Sequence, residues 1–165
     1  MSAPRPNTLK PPRQTLSRER IEFEALTLIE QEGMDGFSTR KLGQRLGCEA
    51  MSIYHHFPSK AHLLDALVDR SLSQLPIPSR HLPSGERIRA LAQAWRDMAR
   101  RHPRFYLWMA LHRWNSRIGI AFLSEVLHCF HAAGLSSEQA ARGFRVVGYY
   151  LLGATLEETS GYAVG

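Results

Sequence analysis

The sequence predicts an all-α chain in which a small N-terminal unit of three helices is joined to a larger helical bundle. Apolar residues recur every three or four positions from residue 17 onward, and no segment alternates apolar and polar residues as a strand does. Glycine, proline and serine interrupt this spacing where helices are expected to begin and end. We expect the three-helix unit over residues 16–58 and the bundle over residues 59–165.

Composition limits the class of protein. The 165 residues contain no run near the roughly 18 apolar residues that a membrane span needs. The basic N-terminus is not followed by the apolar stretch of a secretory signal. The two cysteines, Cys48 and Cys129, are far apart and suit a reducing compartment better than a disulfide framework. We therefore expect a cytoplasmic protein that has no membrane partner.

The formal net charge of +6 is unevenly distributed. Residues 1–75 hold ten Lys/Arg against nine Asp/Glu, and residues 76–165 hold eleven against six, so the surplus lies mostly outside the three-helix unit. Within that unit, glutamates crowd the first helix, whereas residues 38–60 contain a single acidic residue, Glu49. This local excess of positive charge favours a surface that faces phosphate. The basic residues of this segment are Arg40, Lys41, Arg45 and Lys60.

The first 15 residues combine four prolines with three basic residues and show no periodic apolar pattern. We interpret residues 1–15 as a disordered basic arm. Such an arm either enters a minor groove of DNA or is an unstructured tail without a role.

The first helix is predicted from Ser17 to Gly33, with glycine as its C-terminal cap. Ser38 is a good N-cap for a second helix, and Gly47 ends that helix because glycine tolerates the left-handed backbone of a tight turn. A third, short helix is predicted over residues 49–57. The residues expected to face inward are Ile21, Ala25, Leu28, Ile29, Leu42, Leu46, Ile53 and Phe57.

Ser59 is expected to cap a longer fourth helix, which ends before the prolines at 76 and 78. A fifth helix is predicted from residue 84 until just before Pro103. Residues 105–111 are densely apolar and are therefore expected to be buried.

The last two predicted helices are separated by a glycine. The seventh spans residues 116–133 and has Gly134 as its cap. Ser136 and Gln139 form a capping box that opens the eighth helix. Because this helix is apolar nearly all round from residue 144 to residue 156, we expect it to be buried on more than one face.

Two short helices joined by a glycine turn form a helix-turn-helix pattern, whose second helix lies in the major groove in DNA-binding proteins. The same spacing also occurs in purely structural bundles. Residue types favour DNA binding here, because small side chains at 50 and 52 allow close approach to base edges and Arg40 can form two hydrogen bonds with guanine or phosphate. The residues expected on the outer surface are Ala50, Met51, Ser52, His55 and His56.

One segment closely resembles the N-terminal domain of the TetR family of bacterial repressors: STRKLGQRLGCEAMSIYHHFPSKAHLLDAL, residues 38–67. With the first helix, the resemblance covers residues 17–72. It implies a regulator that binds double-stranded operator DNA. The matching residues are Gly33, Ser38, Thr39, Arg40, Gly47, Tyr54, Phe57 and Lys60.

The resemblance also implies which side chains contact DNA. Three contact positions carry residue types that differ from the family pattern, Ala50, Met51 and His55, so the operator sequence is expected to differ. Ala50 and Met51 suit a thymine methyl better than hydrogen-bond readout. Tyr54 either packs beneath the third helix or donates its hydroxyl to a phosphate. The contact positions that keep their residue type are Thr39, Arg40, Ser52, Tyr54, His56 and Lys60.

The second half diverges more from the family. Two segments, RHPRFYLWMALHRW and GYYLLGATLEET, resemble family helices that form an effector pocket and a homodimer interface. His112 and Glu157 fall at positions that handle a drug-bound magnesium. Pro76, Ala94 and Met98 replace the residues that hold the drug itself. Tetracycline is therefore not the expected ligand.

A pocket bordered by the apolar residues of this half favours an apolar or aromatic small molecule of unknown identity. The alternative is that the same residues are simply core. No cofactor, metal or catalytic residue is expected. The predicted effector-binding residues are Trp95, Met98, Phe105, Trp108, Met109, His112, Phe144 and Glu157.

Other interpretations compete with a repressor. Glu125, His128 and His131 recur at a spacing that can ligate a metal, but the set spans too wide an arc to converge, and a solvated helix face explains it. The dense arginines between residues 80 and 117 suggest an acidic effector or extra DNA contact, or again a solvated face. A helical carrier or enzyme that does not bind DNA and a DNA-binding activator are the remaining alternatives.

Family members usually continue into one or two further helices, whereas this sequence stops at Gly165. Either the sequence is truncated or its dimer is built from fewer helices. We predict that the apolar eighth helix is buried in a homodimer.

Overall fold

The structure is a computed structural model that describes residues 15–160, with side chains to residue 158. Eight α-helices and no strands make up this part of the chain, which confirms the all-α prediction. Residues 1–14 of the arm predicted over residues 1–15 lie outside it, and no helix within it has both the length and the apolarity of a membrane span. The helices are α1 Arg18–Gly36, α2 Thr39–Leu46, α3 Ala50–Tyr54, α4 Lys60–Ser73, α5 Ser84–Arg101, α6 Pro103–Leu111, α7 Arg117–His131 and α8 Ser137–Ser160.

Serine side chains start three of the first four helices, as the sequence predicts for Ser38 and Ser59. Ser17 Oγ accepts from the Arg20 amide, Ser38 Oγ from Lys41 and Ser59 Oγ from His62, each at 3.3 Å. These bonds satisfy amides that have no partner within their own helix.

Two helix boundaries differ from the prediction. The backbone leaves helical geometry at Gly33 (φ 76°, ψ 173°), where the sequence places the end of α1, but α1 resumes and ends at Gly36. The third helix is shorter than residues 49–57 and ends at Tyr54. Pro58 prevents the helix from continuing beyond Phe57, because helical geometry is disfavoured for a residue that precedes proline.

One continuous core joins the three-helix unit to the bundle. Leu42 and Ile53 are fully buried against α1, and the core continues through α4 to Phe105 and Met109 of α6. The eight residues predicted to face inward in α1, α2 and the α3 region are all buried. This packing holds the first three helices as one rigid unit on the bundle.

Polar contacts tie the three-helix unit to the bundle. The Glu30 carboxylate of α1 accepts the Arg104 amide at 3.2 Å and the Phe105 amide at 2.9 Å, so it caps the start of α6. From α4, Asp65 bonds His112 Nε2 at 2.9 Å. Helix α1 of the three-helix unit is therefore linked to the start of α6, and α4, which follows that unit, is linked to its end.

The end of α6 and the outer face of α8 are more exposed than the sequence predicts. Leu111 is 80% exposed, although residues 105–111 were expected to be buried. The capping box is confirmed: Gln139 Oε1 accepts the Ser136 amide at 2.9 Å, and Ser136 Oγ accepts the Gln139 amide at 3.3 Å. Within one chain, however, α8 packs on α5, α6 and α7 with one face only.

Candidate DNA interface and effector cavity

Close approach of two helices shapes the helix-turn-helix. The Cys48 amide donates to the Gly43 carbonyl at 2.9 Å, and Gly47 turns the chain with a left-handed φ of 68°. A Cβ at Gly43 would lie 2.8 Å from the Cys48 carbonyl oxygen and 3.3 Å from the Ala50 nitrogen. Residue 43 must therefore be glycine for α3 to take this position. Sequence reasoning missed Gly43, although a glycine inside a helical pattern is a signal for such contact.

The third helix presents one face to solvent because its other face is anchored. Ile53 and Phe57 are buried, and the Tyr54 hydroxyl lies 3.0 Å from Thr39 Oγ1 of α2. Tyr54 is half-buried, and its hydroxyl contact orients the Thr39 side chain.

The outer surface of α3 carries the residues that the sequence places there. Met51 is 63% exposed and His55 is exposed, while Ala50, Ser52 and His56 are half-buried at the edges of this surface. Arg40 is exposed beside them at the start of α2 and makes no hydrogen bond or ion pair with the described residues. These six residues together form what we term the α3 face.

The predicted charge separation around α2 is wrong in part. Two of its basic residues are paired with glutamates of α1: Lys41 with Glu32, and Arg45 Nε with Glu24 at 3.1 Å. These two ion pairs link α2 to α1, so the charges of Lys41 and Arg45 are already paired within the protein. The local positive excess is therefore smaller than the sequence suggests.

Lys60 and Arg18 border the α3 face. Lys60 Nζ donates to the Phe37 carbonyl at 3.0 Å and lies 5.1 Å from the Phe37 ring centroid. Arg18 donates to the His56 carbonyl and lies over the Phe57 ring at 4.2 Å. Sequence reasoning missed Arg18, because nothing local indicates that the start of α1 reaches the end of α3.

A cavity of about 300 Å³, open to solvent on one side, lies between α5, α6, α7 and α8. Its volume is at the lower end of the range for small-molecule sites. The lining residues are Ile88, Leu91, Ala92, Trp95, Tyr106, Ala110, Leu111, Trp114, Phe122, Val126, Phe130, Phe144, Arg145, Val147, Gly148, Tyr149, Leu151 and Leu152.

Four aromatic rings build one wall of this cavity. Trp95 lies 5.3 Å from Trp114, 6.3 Å from Phe122 and 5.9 Å from Tyr106, measured between ring centroids. Such separations are those of favourable ring contacts. The ring planes are inclined to one another, by 50° for Trp95 and Trp114 and by 72° for Trp95 and Tyr106, so the wall is apolar and presents both faces and edges of rings.

Two family models match the chain. The model for bacterial regulatory proteins of the tetR family matches residues 24–67, and the model for the tetracyclin repressor-like C-terminal domain matches residues 83–163. The chain belongs to the TetR family.

Relatives within the TetR family include tetracycline repressors. The class A repressor of Escherichia coli is 32% identical over 150 residues, which cover 83% of this chain and 64% of that protein. The class C repressor of Escherichia coli is 30% identical over 158 residues, which cover 90% of this chain and 68% of that protein. The chain thus spans about two thirds of the length of these relatives.

A solved structure in the TetR family has the same fold. ActR of Streptomyces coelicolor, solved in complex with actinorhodin, superposes with a TM-score of 0.76 at 26% identity. The superposition covers 89% of this chain and 71% of that one. Both the three-helix unit and the bundle therefore follow the architecture of this TetR family protein.

Two of the eight residues predicted to bind an effector, Trp95 and Phe144, line the cavity. The other six lie outside its lining: Met98, Phe105 and Met109 are buried core, Trp108 packs against Phe105, His112 bonds Asp65 of α4, and Glu157 is exposed on α8. Sequence reasoning missed Trp114, Phe122 and Phe130, which complete the cavity wall.

The histidine-rich face of α7 is engaged in other contacts. Glu125 pairs with Arg80, and His131 Nδ1 lies 3.1 Å from the Leu135 carbonyl oxygen. Across residues 15–160, no group of three or more His, Cys, Asp or Glu side chains is placed to hold a metal ion.

Proposed function

We propose that this TetR family protein is a transcriptional repressor that binds a palindromic operator as a homodimer and is released by a small molecule. The observation that carries the proposal is the α3 face, a short anchored helix that presents small, apolar and imidazole side chains beside the unpaired Arg40. A helix held this way can enter a major groove. Relatives named as repressors support repression over activation.

The position of each side chain supports a distinct role on DNA. Arg40 offers two hydrogen bonds to guanine or phosphate, and Ala50 and Met51 offer apolar contact to a thymine methyl. Ser52, His55 and His56 supply polar contacts to base edges and phosphates. Thr39 contacts a phosphate from a position that Tyr54 fixes. Lys60, whose ammonium group already donates to the Phe37 carbonyl, faces the phosphate backbone of the neighbouring DNA strand.

The outer face of α8 supports dimerisation. Val146, Tyr149 and Tyr150 are 67%, 70% and 73% exposed, and they recur at a spacing that puts them on one side of the helix. Exposed apolar patches of this kind are interaction sites. A second copy that covers this face also buries α8 on more than one side, as its composition suggests.

Contacts between α4 and α6 support ligand control. The cavity shares Ala110 and Leu111 with the end of α6, next to His112, whose ring bonds Asp65 of α4. A ligand that displaces this end of α6 changes the position of α4, and with it the spacing of the two α3 faces in the dimer.

The proposal assigns residues 16–58 to DNA binding and residues 59–165 to effector binding and dimerisation. It assigns no enzymatic activity, in keeping with the regulatory role of the family to which the chain belongs. It places the protein in the cytoplasm, where its operator lies.

The test uses double-stranded DNA selected from a random pool by the wild-type protein. We expect Arg40→Ala to weaken binding to the selected sequence by about 5- to 150-fold, the range for one two-bond contact to a base. Arg89→Ala, which removes the same charge from an exposed site on α5, is the control and should leave the affinity unchanged. Fluorescence anisotropy measures both. Equal effects of the two variants would contradict the proposal.

Repression itself needs a separate readout. Deletion of the gene should raise expression from a reporter that carries the selected operator. A fall in expression would identify an activator instead.

A further inference from the structure

The polar groups of the cavity are few and most are already bonded. Trp95 Nε1 donates to the Tyr106 hydroxyl at 3.0 Å, and Trp114 Nε1 donates to the Met109 carbonyl at 3.3 Å. Both indole N–H groups are therefore used within the protein. A ligand that binds against the aromatic wall contacts the faces and edges of its rings, because these two indole N–H groups are not free to donate to it.

Arg145 is the charged residue among those that line the cavity. It is exposed on α8 and makes no hydrogen bond or ion pair with the described residues. Arg142, one turn earlier on the same helix, is instead paired with Glu138 at 2.6 Å. The cavity thus has an apolar interior and, at its rim, a guanidinium that is unpaired among the described residues.

We propose that the cavity binds an aromatic molecule that carries one anionic group, with its rings against Trp95, Trp114 and Phe122 and its anion on Arg145. This inference rests on the proposed function, because it names the chemical class of the effector of that site. Burial of an unpaired charge is costly, so the anion of such a ligand stays at the rim, where a guanidinium can bond it.

The positive charge of Arg145 disfavours cationic ligands, and the apolar lining of the cavity disfavours polar ligands without rings. Among residues 15–158, no aspartate or glutamate lines the cavity, so a cationic aromatic finds no counter-charge from this part of the chain and meets Arg145 instead. A polar ligand without a ring system leaves its hydrogen-bonding groups unpaired against the apolar wall. An aromatic carboxylate or sulfonate avoids both the repulsion by Arg145 and the loss of hydrogen bonds.

The test compares two fluorescent probes that share one ring system. The first, 8-anilinonaphthalene-1-sulfonate, carries a single sulfonate, and the second, N-phenyl-1-naphthylamine, lacks it. Binding to the full chain is followed by energy transfer from tryptophan to the probe. We expect Arg145→Gln to weaken binding of the sulfonate probe by about five- to tenfold, the range for a partly exposed charged hydrogen bond, and to change binding of the neutral probe less than about twofold.

Two matched variants control the result. Arg142→Gln removes a paired arginine from the same helix and should affect neither probe. Ala92→Phe fills the cavity and should weaken both. Equal responses of the two probes to Arg145→Gln, or no effect of Ala92→Phe, would overturn the proposal.

Failure of the proposed function is measured separately, on the wild-type protein without probe. If that protein selects no DNA but the probes behave as expected, the repressor proposal fails while the ligand class stands. If it binds an operator and Arg145→Gln has no selective effect on the sulfonate probe, the ligand class fails alone.

Discussion

Gly43→Ala tests whether the turn of the helix-turn-helix is as tight as the structure shows. The added Cβ would lie 2.8 Å from the Cys48 carbonyl oxygen and 3.3 Å from the Ala50 nitrogen, both backbone atoms. The turn cannot yield easily, because the Cys48 amide bonds the Gly43 carbonyl at 2.9 Å. Leu46 and Ile53 are also buried on either side of it. We therefore expect α3 to move away from α2.

The expected change in the free energy of unfolding is the sum of two opposed effects. Overpacking against a rigid neighbour costs up to about 3 kcal/mol. Replacement of glycine by alanine within a helix returns about 1 kcal/mol. The net loss of about 2 kcal/mol corresponds to a fall of about 4–8 °C in Tm for a protein of this size.

Thermal unfolding and operator binding are measured on the same variant. DNA affinity should fall even at temperatures where the variant is fully folded, because the α3 face no longer meets the groove in register. Gln44→Ala, one residue along on the exposed side of α2, should leave both properties near wild type. A Gly43→Ala protein as stable as wild type that still binds its operator normally would refute the close approach of α2 and α3.

Three further predictions follow from the bundle. Glu30→Gln weakens the cap on α6 and should lower the free energy of unfolding in urea by about 1 kcal/mol, whereas the exposed Glu138→Gln should not. Burial lowers the pKa of His102 below its ordinary value of 6.5, so the unfolded chain binds the proton first. Stability should fall as pH drops below 6.5, and His102→Gln should reduce that slope; an unchanged slope would contradict the assignment. Tyr150→Asp should shift the protein from dimer to monomer in sedimentation and weaken operator binding; an intact dimer would place the interface elsewhere.

Local features were predictable from the sequence. Ser17, Ser38 and Ser59 cap helices through contacts within three residues, and Gly47 adopts a backbone that few other residues tolerate. The apolar spacing of α1, α2 and the α3 region identified their buried residues because one helical face contacts one core.

Features that depend on two distant segments were not predictable. The pairing of Arg45 with Glu24 depends on the angle at which α2 packs on α1. This angle cannot be derived from the spacing of residues along the chain. Trp95 and Phe144 were placed in the cavity correctly, but Met98 faces the core instead. One turn of helix separates a lining residue from a core residue there, and both are apolar.

If the α3 face reads DNA in the major groove, methylation of guanines in the operator should interfere with binding. Methyl groups at guanine N7 block the major groove, whereas those at adenine N3 block the minor groove. We expect interference at guanine N7 in two half-sites whose centres lie about 10 base pairs, or a multiple of that, apart. If Arg40 bonds guanine rather than phosphate, Arg40→Ala removes one guanine signal per half-site. Interference confined to adenine N3 would show that the α3 face does not lie in the major groove.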